Sequence, residues 1–125
     1  MERAYQLVPD ILRSLIPKDK IGVYVLGNIG LSRFYPIYIG RSDTCLLTRL
    51  LTHNYRDKAT HVTWRFTSSI KQAFHQECCL YHTYEEQNFL NGVHPASPKE
   101  SGLICPVCSY IQVDIQSLKE RTKQN

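Results

Sequence analysis

Two short segments, Gly22-Val23-Tyr24 and Tyr38-Ile39-Gly40, limit most tightly what this chain can fold into. Each lies in a run rich in β-branched and aromatic residues, the composition of strands. Gly27-Asn28-Ile29-Gly30 interrupts them with residues that tolerate φ > 0, so the pair predicts a β-hairpin with a long loop. Side chains alternate across a strand. Val23, Val25, Ile37 and Ile39 are therefore expected on one core face, with Tyr24 and Tyr38 together on the other.

The chain has 125 residues, a length that suits one domain, 1–125. Its 42% hydrophobic and 21% charged residues are ordinary for a globular protein, which argues against disorder. A net charge of +4 permits a nucleic-acid partner without requiring one. No apolar stretch is long enough to cross a bilayer and no signal-peptide pattern opens the chain, so a cytoplasmic location without membrane contact is expected. There the five cysteines read as metal ligands or buried thiols in preference to disulfides.

Taken in order, Leu7, Ile11, Leu12, Leu15 and Ile16 have helical spacing, with Pro9 suited to a first turn and Pro17 closing the segment. After the hairpin, Ser42 or Asp43 is the expected N-cap of a helix carrying the stripe Leu46, Leu47, Leu50 and Leu51. Arg49 and His53, four apart at the margin of that stripe, can reach the tyrosine face of the hairpin. Residues 61–67 alternate as a third strand, with Val62, Trp64 and Phe66 on one side. Ser68 or Ser69 then caps a second helix over about 70–86. Its apolar stripe of Ile70, Ala73, Phe74, Tyr81 and Tyr84 includes position 77, which is a glutamate. A carboxylate there is costly unless it is paired, protonated or bound to a cation. A buried salt bridge to Arg49 and a metal ligand are the two explanations.

Together, Gly22-Val23-Tyr24, Tyr38-Ile39-Gly40, Arg49 and Glu77 resemble the GIY-YIG nuclease superfamily over residues 20–95. The resemblance implies an α/β (α+β) fold, a small three-stranded antiparallel sheet flanked by helices. It implies metal-dependent endonuclease activity, hydrolysing phosphodiester bonds in DNA, with Glu77 holding Mg²⁺ or Mn²⁺. Tyr24 matches the tyrosine that helps deprotonate the attacking water. Tyr38 matches a group positioning water or phosphate, and Arg49 the charge that neutralises the transition state. His53 falls where some members carry a histidine. Arg41 is a candidate phosphate contact, and Asn91, with Asn88 as the alternative, a candidate for a late asparagine. Arg49 lies one residue further from the second motif than in many members.

Cys105-Pro-Val-Cys108 has the spacing of half a zinc site. Cys78 and His82, four apart on the second helix, can supply the other half, with Cys79 an alternative to Cys78. Residues 96–125 then form a zinc-stapled extension and a basic tail, and the zinc is structural because four protein ligands leave no open position. No separate DNA-binding domain is visible, so a homodimer or a partner protein is expected to supply specificity. The competing readings are a catalytically silent nucleic-acid-binding or protein-interaction module on the same scaffold, and a zinc-stabilised interaction protein whose tyrosines are only core.

Overall fold

In the computed structural model, which describes residues 3–85 and 93–109, the hairpin is longer and tighter than its composition suggests. Strands β2 (Gly22–Gly30) and β3 (Arg33–Ser42) pair antiparallel as far as Gly30 opposite Arg33. The Gly27–Gly30 segment is therefore strand and not loop. Only Leu31 and Ser32 remain to turn the chain, both at positive φ (50° and 64°). That is the backbone of a type I′ turn, whose twist matches the twist of paired strands.

Leu26 pairs with Tyr38 but Gly27 pairs with Pro36, which leaves Ile37 as an extra residue on β3. This β-bulge decides the faces of the hairpin. Tyr24, Leu26, Tyr38 and Gly40 fall on one face, and Val23, Val25, Ile39 and Arg41 on the other. Ile37, expected beside Ile39, packs instead with the Tyr24–Leu26 cluster.

The sheet has four antiparallel strands in the order β1-β4-β2-β3, one more than the three expected. The additional strand, β1 (Tyr5–Gln6), pairs with β4 (His61–Phe66) ahead of α1 (Pro9–Leu15). Two residues carry no periodicity. What places β1 is tertiary: the Tyr5 ring stands 5.1 Å from that of Trp64.

Both sheet faces are covered, so the fold is mixed α/β. On the Tyr24 face, Leu12 and Ile16 pack with Leu26, Val62, and Leu46, Leu47 and Leu50 of α2 (Leu46–Leu51). Burying each such side chain contributes about 1.5–3 kcal/mol. On the Val23 face lies α3 (Ile70–Tyr84), whose buried residues are Ala73, Phe74, Glu77 and Cys78. Ser69 caps α3 by accepting from the Gln72 amide at 3.1 Å. The entry to α2 differs from the expectation. Ser42 Oγ accepts from the Cys45 amide at 3.0 Å, three residues ahead of the cap position, and Asp43 faces Arg41. Cys45 occupies the cap position without a side-chain bond. Among the described residues, no helix is long and apolar enough to cross a membrane.

Candidate functional site

β3 is an outer strand of the sheet, so side chains from both faces can meet at its free edge. From the α2 face come Tyr24, Tyr38, Arg49 and His53. The Tyr24 and Tyr38 rings stack with centroids 6.3 Å apart and planes 22° from parallel. His53 stands edge-on to both, at 4.7 Å from Tyr38 and 5.4 Å from Tyr24. Arg49 donates from Nε to the Tyr24 hydroxyl at 3.2 Å. From the α3 face come Glu77 and Arg41, joined by a 2.6 Å ion pair from Nη1 to Oε1. The partner of Glu77 is thus Arg41 and not Arg49.

A cavity of about 340 Å³ opens between the two groups, lined by Tyr38, Arg49, His53, Glu77, His94 and Pro95 among others. Its two cationic neighbours differ in kind. Arg41 is neutralised, donating to Asp43 at 2.9 Å as well as to Glu77 and to the Ala96 carbonyl at 2.7 Å. Its Nε, Nη1 and Nη2 are all engaged in these bonds, the Nη2 contact to Asp43 being the longest at 3.4 Å. Arg49 bonds to phenol and pairs with no carboxylate among the described residues, which leaves a full positive charge facing the cavity.

Electrostatics set the protonation of each group. Burial raises the Glu77 carboxyl above the usual range, and the Arg41 bond and charge oppose it. Burial drives the Tyr24 phenol well above its ordinary value despite the Arg49 hydrogen bond, so it is neutral near pH 7. The Tyr24 side chain is also fully covered and does not line the cavity. Burial, with the Arg49 charge second, lowers His53 to about 4. His53 is therefore neutral at pH 7. Its Nδ1 accepts from the Tyr55 amide at 3.0 Å, which places the proton on Nε2, a buried atom without a hydrogen-bond partner.

A second cluster adjoins the cavity. His82, His94, Cys105 and Cys108 present ligand atoms all within 4.8 Å of one another, a group able to hold a metal ion such as zinc. Three of these were expected. The fourth is His94, and Cys78 is not a member. It is wholly buried against Phe74 and Cys105 under the cluster. Cys79 is exposed. His94 was legible only as a histidine before a proline, because no helical spacing ties it to His82. Tyr55, its ring 5.1 Å from that of Tyr38 and tilted by 58°, and Asp43 also belong to the site without a sequence signal that singles them out. Asn88 and Asn91 lie outside the described residues.

No protein-family model, no curated protein and no solved structure matches this chain.

Proposed function

We propose that this protein is a metal-dependent DNA endonuclease of the GIY-YIG kind, working in the cavity at the β3 edge. One observation carries the reading: a guanidinium with no carboxylate partner among the described residues, Arg49, and a carboxylate, Glu77, converge on that cavity from opposite faces of the sheet. An anionic phosphate and a divalent cation are the complementary occupants.

Glu77 is the residue that would hold Mg²⁺ or Mn²⁺. A single carboxylate bordering a polar cavity fits such ions, which keep several waters and share the substrate's phosphate. When bound, the cation supplies polarisation of the phosphate and charge stabilisation on the leaving oxygen. Arg41, through its bond and charge, favours the ionised form of Glu77 against the pull of burial. Arg49 binds the phosphate and neutralises charge that grows in the transition state. Tyr38 offers its phenol to the water or phosphate in the cavity. Tyr24, covered and neutral, orients Arg49 through its hydroxyl, a positioning role that replaces the proton removal implied by the resemblance. His53 braces both tyrosine rings.

The test compares wild type, Glu77→Ala and Arg49→Ala on supercoiled plasmid and labelled branched oligonucleotides with Mg²⁺, Mn²⁺ or EDTA. Metal-dependent cleavage lost in both variants supports the nuclease. Cleavage that survives in Glu77→Ala overturns it. The short Arg41–Glu77 pair, which already occupies one carboxylate oxygen, favours a second reading as a silent nucleic-acid-binding module. That reading predicts DNA binding unchanged by EDTA, with no product under any metal.

A further inference from the structure

The His82–His94–Cys105–Cys108 cluster has an internal geometry that its residue types alone do not require. His82 Nε2 lies 3.1 Å from His94 Nε2, and Cys108 Sγ lies 3.4 Å from the first and 3.7 Å from the second. A tetrahedral zinc with Zn–N of about 2.05 Å and Zn–S of about 2.3 Å separates two nitrogens by about 3.3 Å and a nitrogen from a sulfur by about 3.6 Å. The two nitrogen–sulfur edges, 3.4 and 3.7 Å, bracket their value, and the nitrogen–nitrogen edge of 3.1 Å falls slightly short of its own.

The outward nitrogens point the same way. His82 Nδ1 lies 3.3 Å from Glu85 Oε2, and His94 Nδ1 donates to the Pro95 carbonyl at 2.9 Å. Carboxylate and carbonyl only accept, so each Nδ1 carries a proton and Nε2 is the atom each ring presents to the cluster. Four protein ligands close the coordination sphere, which suits a structural ion and leaves no position for a reacting water.

His94 also lines the cavity at the β3 edge together with Val93, Pro95 and Ala96. Two residues on, the Ala96 carbonyl accepts from the same Arg41 nitrogen that holds Glu77. A ligand bond at His94 therefore fixes one wall of the cavity and the far side of the Arg41–Glu77 pair.

We propose that His82, His94, Cys105 and Cys108 form a closed zinc centre whose His94 ligand holds the 93–96 wall of the cavity in place. The centre stands whether or not the cavity hydrolyses DNA.

The experiment uses the full chain, purified under reducing conditions with zinc, in two measurements. Metal analysis is expected to give one zinc per chain, and cobalt substitution the visible bands of a tetrahedral site with thiolate ligands. His94→Ala should lower zinc affinity by about 100-fold or more, whereas Cys78→Ser retains the ion. A wild type that takes up no zinc, or a Cys78→Ser variant that loses it while His94→Ala keeps it, overturns the centre. The second measurement needs no variant. Removing zinc with a chelator should speed exchange of the Val93, His94 and Ala96 amides by about tenfold or more, with β2 and β4 unchanged. Exchange in 93–96 that is the same with and without zinc overturns the anchoring role. Neither readout depends on DNA cleavage, so a failed nuclease assay leaves both intact.

Discussion

The Tyr24 ring lies across the backbone of Gly40, its partner in the β2–β3 ladder, so closely that a Cβ at position 40 would stand 2.4 Å from the phenol oxygen and 2.5 Å from Cζ. This contact carries the Tyr24 hydroxyl over β3 to Arg49. The two glycine-tyrosine segments are thus one device: the glycine of the second gives passage to the tyrosine of the first.

Gly40→Ala should therefore act through Tyr24. The ring is fully buried. We expect a loss of about 2 kcal/mol in urea unfolding, together with loss of the Arg49 bond. An unchanged midpoint would mean that Tyr24 does not cross position 40.

Arg41 and Glu77, with side chains 12% and 10% exposed, form a pair whose members should be coupled. Arg41→Met strands a buried carboxylate and should lower stability by about 3 kcal/mol. Adding Glu77→Gln should recover about half of that loss, because the stranded charge is gone. A double-mutant cycle measures this directly, and strict additivity would refute the coupling.

His53 predicts an acid-dependent loss of stability. Its folded pKa of about 4 lies below the about 6.5 of an unfolded histidine. Between these values the unfolded chain binds more protons, so stability rises with pH across the window and falls as pH drops from 6.5 toward 4. The difference between wild type and His53→Gln, measured under identical conditions, should amount to about 2 kcal/mol over that range. Parallel pH profiles for the two proteins would remove His53 as the cause.

The hairpin turn holds two non-glycine residues at positive φ, Leu31 and Ser32, and Leu31 is 94% exposed. Leu31→Asn with Ser32→Gly gives the residues that a type I′ turn favours. It should raise stability by about 1 kcal/mol or more, and it removes an exposed leucine. Equal or lower thermal stability would exclude the two-residue turn.

What the sequence determined by itself is local. Alternation through Gly22–Leu26 and residues 61–67 marked the strands, the leucine stripe marked α2, and the break in the apolar stripe marked Glu77 as a group in need of a partner. The cysteine pair at 105 and 108 announced itself by spacing. Such signals survive because period and spacing are properties of neighbouring residues.

Tertiary structure decided everything that depends on how distant segments meet. One extra residue at Ile37 sets which face of β3 carries Tyr38 and which carries Arg41. The same register gives Glu77 to Arg41 and leaves Arg49 bonded to the Tyr24 phenol, with no carboxylate partner among the described residues. The path of residues 93–96 past α3 brings His94 into the cluster in place of Cys78. Periodicity assigns a side chain to a face, but a partner is chosen by the relative placement of elements, and that placement follows from the packing of the whole core.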